Sequence, residues 1–230
     1  MNQATSSIRR LKIENYIDFH AHHPSLRGER VIQDGTDTRG RHPWRLLSDH
    51  AQGEEDISHS LNFLLRFSTQ ALRDYSFSHS LLAVGESGLD KVCSTPYDLQ
   101  LQVFREEVEL SEQLQKPLFL HCVRAIDDVL HIRRELKARQ PWIWHGYRGN
   151  AQQLQQLLPH NFYFSFGFHF NEAALLACPM ERLLLETDEE TQVPISELYA
   201  QVAQLRQLSL EQLVTQMHQN FHSLFGKIYS

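Results

Sequence analysis

Short apolar runs alternate with longer segments of helical periodicity along most of the chain. The runs have the length and apolar content of strands buried in a parallel sheet. They predict strands at residues 16–22, 81–86, 118–121, 142–145, 162–168 and 183–188, with weaker signals at 30–33 and 36–41. Apolar residues that recur every three or four positions predict helices at residues 57–75, 95–114, 126–136, 150–158, 171–177, 195–208 and 210–225.

Several helix boundaries carry capping signals. Thr95 is expected to be the N-cap of a helix that begins at Pro96. Ser209, followed three residues later by Gln212, is expected to cap the last helix. Gly226 follows that helix at the position where a glycine commonly ends one.

The alternation of strands and helices indicates a parallel sheet with helices packed outside it. Seven or eight strands in 230 residues suit a single domain over residues 1–230, folded as a compact α/β (β/α)8 TIM barrel. A doubly wound open sheet is the competing architecture. No Gly-x-Gly-x-x-Gly follows the first strand, which disfavours a nucleotide-binding version of that sheet.

Composition limits the classes of function. The formal net charge is −6, so the chain has no general attraction for nucleic acid or an anionic membrane, and any polyanion would have to be held locally. No apolar run is long enough to span a bilayer, and residues 1–12 lack the apolar centre of a signal peptide. Three scattered cysteines argue against a disulfide framework. We expect a cytoplasmic protein without a membrane or an obligate protein partner.

Side chains that bind metals stand at the carboxyl ends of five predicted strands, where a barrel places its active site. They are His20 and His22, Glu86, His121, His145 and Asp188. His20 and His22 are two residues apart and therefore share one face of their strand, with Asp18 one step deeper as an expected orienter. A lone histidine in an apolar strand is more often a core residue, and a carboxylate after a strand is often only a helix cap. Six such residues at one end of the motif favour a metal centre.

The same residues lie in motifs that resemble those of the TatD family of metal-dependent hydrolases, and the resemblance covers nearly the whole chain. The matching segments are Asp18-x-His20-x-His22, Gly40-x-His42-Pro43, Gly85-Glu86-Ser87-Gly88-Leu89-Asp90, Pro117 through His121-Cys122, His145-x-x-x-Gly149, Glu181 through Glu186-Thr187-Asp188, and Asn220-Phe221 with Leu224-Phe225. The resemblance implies a distorted (β/α)8 barrel of the metallo-dependent hydrolase type.

The resemblance also implies a pair of divalent ions. The imidazole and carboxylate donors suit zinc, manganese or iron, and magnesium where more carboxylate and water take part; of these, magnesium, manganese and zinc are the expected ions. One would be held by His20, His22, Glu86 and Asp188, and the other by Glu86, His121 and His145. Family members are best known as deoxyribonucleases acting on DNA ends, so the expected partner is DNA or another phosphodiester. Such ions activate a water and stabilise the charge that develops on the phosphoryl oxygens.

The expected catalytic residues are Asp188, which would take a proton from the attacking water, and Glu86, which would bridge the ions. His42, Arg124 and Arg148 are candidate contacts to the substrate phosphate. A structural role beside Pro43 is an equal alternative for His42, and a solvated surface position is the commoner alternative for each arginine.

The chain departs from the family pattern at the rim of the expected site. Asp188 is followed by a short acidic segment, residues 189–194, where the family has a basic run, and Val123 displaces Arg124 from its usual position after His-Cys. A hydrolase of another ester or an amide, such as an aminoacyl-RNA deacylase, is therefore a second hypothesis. A binding module without catalysis is the third, and the complete ligand set argues against it.

Overall fold

The structure, a computed structural model, describes residues 11–46 and 81–226. The helix predicted at residues 57–75 and parts of the predicted domain, 1–230, lie outside these ranges. The described strands are β1 Ile17–Ala21, β2 Arg30–Gln33, β3 Thr38–Arg39, β4 Ala83–Asp90, β5 Leu118–Val123, β6 Trp142–Trp144, β7 Phe162–Phe166 and β8 Leu183–Leu185.

All strand pairings are parallel, and the strands follow one another in chain order. β1 pairs with β2, and β3 to β8 form a six-stranded sheet. Two isolated bridges complete the circle: Asp34 with Thr38 joins β2 to β3, and Ala21 with Asp188 joins β1 to the segment after β8. The predicted distorted (β/α)8 barrel is therefore confirmed, and the open sheet is excluded because β1 and β8 are neighbours.

Helices cover the outside of the barrel. They are α1 Tyr97–Leu114, α2 Ile126–Glu135, α3 Ala151–Leu157, α4 Glu172–Ala177, α5 Ile195–Arg206 and α6 Leu210–Phe225. The capping box of Ser209 and Gln212 forms at the start of α6, and Gly226 is its C-cap. Within the described residues, none of the helices combines the length and the apolar content needed to cross a membrane.

Several predicted boundaries are wrong. The last strand, predicted at residues 183–188, ends at Leu185, so Asp188 lies three residues beyond it. Pro96, not Thr95, is the N-cap of α1, and the Thr95 hydroxyl instead donates to the Pro43 carbonyl at 2.6 Å. β4 continues for four residues beyond Glu86 and ends at Asp90. Glu86 thus projects from within a strand, because the Gly-rich segment after it stays extended beside β5.

The core consists of apolar strand residues and the inner faces of the helices. Phe19, Phe119 and Phe164 are fully buried. Tyr199 of α5 ties the helix layer to β1, since its hydroxyl donates to the Ile17 carbonyl at 2.8 Å and accepts from the Ile17 amide at 3.2 Å. This packing fixes the position of β1, which contains His20 and is followed directly by His22.

Candidate metal centre

His20 and His22 lie side by side at the carboxyl end of β1. Their ring centroids are 5.1 Å apart. His20 is fully buried, while about a quarter of the His22 side chain is exposed. The amide of His22 donates to the Asp188 carbonyl at 3.0 Å, and the Asp188 amide donates to the His20 carbonyl at 2.9 Å. The backbone of β1 therefore fixes the position of Asp188 relative to the histidine pair.

One oxygen of Glu86 faces this pair. Glu86 Oε2 lies 3.4 Å from the Nε2 atoms of both His20 and His22. Asp188 Oδ1 lies 3.4 Å from His22 Nε2 and 3.8 Å from His20 Nε2. These are the spacings expected between neighbouring ligands of one ion, whose bonds to nitrogen and oxygen are about 2.0–2.2 Å long.

The other oxygen of Glu86 faces a different set of imidazoles. Glu86 Oε1 lies 2.7 Å from His145 Nε2, 2.9 Å from His121 Nδ1 and 3.1 Å from His42 Nε2. His121 Nδ1 is also 3.2 Å from the ring nitrogens of both His42 and His145. The structure thus brings all six predicted ligands together, in the two groups expected, and adds His42 to the second group. Their role as ligands stays a prediction.

His42 differs from the other four histidines in its hydrogen bonding. It is the N-cap of a 3₁₀ turn, Pro43–Arg45, and its Nδ1 accepts the Trp44 amide at 3.2 Å. A neutral imidazole that accepts at one nitrogen carries its proton on the other. His42 Nε2 is therefore a hydrogen-bond donor aimed at the centre, and its lone pair is not available to a metal.

Several buried polar atoms of the centre find no hydrogen-bond partner among the described residues. They include both ring nitrogens of His20, Glu86 Oε2 and His145 Nδ1. An unpartnered buried polar atom is costly in a folded protein, and a buried charge needs a partner or a metal. Nitrogen and carboxylate donors in this arrangement fit divalent cations.

The charges of these groups are strongly coupled. Burial raises the pKa of Glu86, but the imidazoles of His145 and His121 outweigh it and hold that pKa well below its usual value. Contacts with Asp188, Asp34 and Glu86 raise the pKa of His22 to about 12. The space between these side chains therefore favours positive charge, as a cation site must.

Two carboxylates that sequence reasoning missed stand behind the histidines. Asp34 Oδ2 lies 3.4 Å from His22 Nδ1, and Asp90 Oδ2 lies 3.4 Å from His121 Nε2. Carboxylates in such positions set the orientation and tautomer of metal-binding histidines. Asp34 directly follows β2, so the rule applied to the other strand ends would have found it. Asp90 ends β4, but the predicted strand stops at Glu86 and gives no signal for Asp90.

Glu186 is a third carboxylate that was missed. It is fully buried, its Oε1 accepts the Gly146 amide at 2.5 Å, and the same atom lies 3.6 Å from His145 Nδ1. It holds the segment after β6 in place beside the centre. Glu186 is the first residue after β8, so the strand-end rule that predicts Asp188 as a ligand applies to Glu186 as well.

Asp18 has a different partner from the one expected. Its carboxylate accepts the Thr187 hydroxyl at 2.5 Å and the Thr187 amide at 3.0 Å. Its hydrogen bond to His20 is with the backbone amide, at 3.3 Å, and not with the ring. Burial raises the pKa of Asp18 to about 7, against the hydrogen bonds from Thr187 that lower it. Asp18 therefore orients the segment that carries Asp188, across the seam between β1 and β8.

Clefts beside the centre contain the two predicted arginines. A cleft of about 620 Å³ is lined by Arg124, Arg148 and Trp44 together with His121 and His145. Both arginines are exposed, and neither guanidinium pairs with a carboxylate of residues 11–46 or 81–226. A second cleft contains Arg148 with Glu189 and Glu190, so the rim carries charges of both signs.

The family model of TatD-related DNases matches residues 35–226. The chain belongs to the TatD family. The matched region contains Glu86, His121, His145 and Asp188, and it begins after His20 and His22, which the structure joins to the others.

Other TatD family proteins and their relatives are similar along much of the chain. An uncharacterized metal-dependent hydrolase, YabD of Bacillus subtilis, is 28% identical over 67% of this chain and 69% of its own length. Deoxyribonuclease Tat-D of Schizosaccharomyces pombe is 29% identical over 66% of this chain and half of its own length. The 3'-5' RNA nuclease TATDN2 of Homo sapiens is 34% identical over 46% of this chain, but only 16% of its own length.

Solved structures show the same fold. YJJV, a TATD homolog from Escherichia coli, superimposes with a TM-score of 0.71 at 20% identity and covers 94% of this chain and 99% of its own. A TatD family hydrolase from Entamoeba histolytica gives a TM-score of 0.65 at 19% identity, covering 87% of this chain and 76% of its own. The family model, together with the relatives named metal-dependent hydrolases, makes the chain a member of a family of metal-dependent hydrolases.

Proposed function

We propose that the protein hydrolyses phosphodiester bonds at the ends of DNA, with two divalent ions held between the strand ends. The observation that carries the proposal is the position of Glu86, whose two carboxylate oxygens face separate groups of metal-binding side chains. A shared carboxylate between two such groups is suited to a pair of ions that act on the attacking and leaving oxygens of one phosphate.

The residues present fit the ions. His20, His22, Glu86 and Asp188 would hold one ion, and Glu86, His121 and His145 the other. The buried atoms of this set that lack hydrogen-bond partners are those that a cation would satisfy. Divalent ions bound there would supply an activated water and neutralise charge on the phosphoryl group.

Asp188 is the proposed proton acceptor. Burial raises the pKa of its carboxyl, but the hydrogen bond from His22 and the charge of His145 hold it below the usual value. The carboxylate is therefore ionised at neutral pH. Its left-handed backbone (φ 59°) and its ties to β1 fix it at the edge of the centre, where it can accept a proton from the attacking water.

His42 is the proposed donor to the substrate phosphate. Its Nε2 carries a proton because Nδ1 accepts the Trp44 amide. A donor fixed in this way is already oriented toward a phosphoryl oxygen and costs no reorganisation during the reaction. Arg124 and Arg148 line the adjoining cleft, where their guanidinium groups can pair with neighbouring phosphates.

The names of two relatives support nucleic acid as the substrate class, one a deoxyribonuclease and the other an RNA nuclease.

The acidic rim favours a second candidate function. Glu189 and Glu190 stand beside the clefts and would repel a long polyanion. A smaller ester or amide hydrolysed by the same centre is the alternative that this observation favours.

The test measures metal content and hydrolysis on the same preparations. Protein loaded with Mg²⁺, Mn²⁺ or Zn²⁺ is assayed on single-stranded DNA, RNA, an aminoacyl ester and an amide, beside Glu86→Gln and Asp188→Asn. We expect DNA-end hydrolysis by the wild type and a fall of about 1000-fold in both variants. Glu86→Gln should also lose bound metal, since it removes the shared ligand.

A matched control is Glu172→Gln, which changes an exposed carboxylate in the first turn of α4 and should leave both readings unchanged. Turnover of the ester or amide alone would overturn the nuclease proposal in favour of the alternative. Full metal content and activity in both site variants would overturn the metal centre itself.

A further inference from the structure

Trp44 is an exposed aromatic side chain held beside the candidate metal centre. About 61% of its surface is exposed, whereas the other two tryptophans, Trp142 and Trp144, are buried in the barrel. A single exposed apolar residue is ordinary on a protein surface. Trp44 differs from such a residue in two ways: a hydrogen bond holds its indole in place, and it lines the clefts beside the centre.

Hydrogen bonds and ring contacts hold the indole in one orientation. Its Nε1 donates to Asp90 Oδ2 at 2.6 Å. The other oxygen of that carboxylate accepts the amides of Val92 at 2.7 Å and Cys93 at 3.3 Å, so the acceptor itself is fixed. A side chain that is already ordered loses little entropy when a ligand packs against it.

The indole stands at the boundary between two clefts. Its ring centroid is 5.2 Å from that of His42 and 5.8 Å from that of His121, each with the planes nearly perpendicular. Trp44 lines the cleft of about 260 Å³ that contains the centre and also the larger cleft that contains Arg124. Trp44 therefore stands beside the position that a phosphate at the centre would take, and it shares the larger cleft with Arg124 and Arg148.

We propose that Trp44 is the platform on which an unpaired nucleobase of the substrate stacks, next to the phosphate that is hydrolysed. The inference rests on the proposed function and extends it to the binding of the base. Every nucleobase has a flat π face, so an exposed indole binds a base without reading its identity. The chain should accordingly require an unpaired base at this position and tolerate all four.

Stacking also gives a polyanion a source of affinity that does not depend on charge. The chain has a net charge of −6 and acidic residues at the rim, so electrostatic attraction alone is weak. A stack of one base on an aromatic side chain is worth about 1–3 kcal/mol, or roughly 5- to 150-fold in affinity. Trp44 would supply this affinity beside the candidate metal centre, where it lines both clefts.

The first test compares intact and abasic substrates. Short single-stranded oligonucleotides carry one abasic residue at each of the terminal positions in turn, and kcat and KM are measured for the wild type, Trp44→Phe and Trp44→Ala. We expect one abasic position to raise the wild-type KM by about tenfold with little change in kcat. Trp44→Ala should raise the KM of the intact substrate similarly and lose its sensitivity to that abasic position, while Trp44→Phe keeps part of it.

The control is Leu176→Ala, which trims another exposed apolar side chain (44% exposed) that lines neither cleft, and should leave KM unchanged. If Trp44 only shields His121, its replacement lowers kcat or metal content and leaves KM and the abasic effect as they were. That result would overturn the stacking proposal and leave the nuclease intact. Absence of hydrolysis of any nucleic acid by metal-loaded wild type would overturn both.

Tryptophan fluorescence gives an independent reading of binding. Trp142 is fully buried, and Trp144 lines the larger cleft but is only 7% exposed, so Trp44 is the indole most accessible to a bound base. Titration of the Asp188→Asn variant with oligothymidylate should quench its fluorescence, and the double variant with Trp44→Phe should lose most of this quenching. Equal quenching in both would contradict the proposal.

Discussion

At the residue scale, His42 differs from the four histidines predicted as ligands in which ring nitrogen carries the proton. All five imidazoles lie within 3.4 Å of a Glu86 oxygen. Distance alone would make His42 a ligand, and it does form a cluster of metal-binding type with Glu86 and His121. The Trp44 amide decides against this role, because it occupies the Nδ1 lone pair and leaves the proton on Nε2.

Replacement of His42 should therefore leave the metal in place and slow the reaction. We expect His42→Ala to keep the wild-type metal content and lose roughly 100-fold in kcat, the usual cost of removing one donor to transition-state charge. His42→Gln, whose amide can donate, should recover part of the rate. His121→Ala should instead lose an ion. Metal content by mass spectrometry, read beside kcat, checks the prediction, and loss of an ion in His42→Ala would make His42 a ligand after all.

The site residues that the sequence predicts are placed by their strand, whereas those it does not predict are placed by contacts between strands. His20, His121 and His145 were selected because they stand at strand ends, and a parallel barrel brings strand ends together. Asp90 was not, since its role depends on a contact with His121 across two strands that no spacing within the chain encodes. The Trp44 contact to Asp90 was hidden for the same reason.

At the element scale, the sequence of β4 explains why this strand ends at Asp90 and not at Glu86, where the pattern predicts its end. Its sequence contains Gly85 and Gly88, which ordinarily mark the end of a strand. Here they permit close approach instead: a Cβ on Gly88 would lie 1.8 Å from the His121 carbonyl oxygen, and one on Gly85 would lie 2.6 Å from the Phe119 carbonyl oxygen. β4 therefore stays extended against β5, and Glu86 and His121 are brought to their contact distance.

Gly88→Ala should disrupt this pairing. The collision is with backbone, which cannot move aside as a flexible side chain can, and the residue also has a positive φ of 156°. We expect a loss of more than about 4 kcal/mol in unfolding free energy. Gly35→Ala is the matched control, because Gly35 has a positive φ of 79° but no atom within 4 Å, and should lose only about 1–2 kcal/mol.

Chemical denaturation followed by circular dichroism measures both variants. If Gly88→Ala yields no folded protein while Gly35→Ala folds, Gly88→Ala is shown to be the more destabilising of the two substitutions. Equal losses in the two variants would mean that backbone conformation, and not close packing of β4 on β5, explains the glycine.

At the scale of the whole molecule, the barrel and the candidate centre stabilise each other. Among the described residues, one bridge, Ala21 with Asp188, closes the circle of strands beside β1. The hydrogen bonds between Asp18 and Thr187 reinforce it. Asp188 belongs both to this closure and to the centre. The periodicity of the sequence predicted the barrel, but the closure uses individual residues after β8 and could not be read from periodicity.

Divalent ions should therefore raise the stability of the entire fold. A ligand that binds only the folded state at 1000 times its Kd adds about 4 kcal/mol, which corresponds to a rise in Tm of roughly 10 °C for a chain of this size. Because imidazoles dominate the donor set, Zn²⁺ and Mn²⁺ should act at lower concentrations than Mg²⁺. Thermal unfolding in EDTA and in graded metal measures the shift. Glu86→Gln, nearly equal in volume, should show little shift, and a full shift in that variant would place the ions elsewhere.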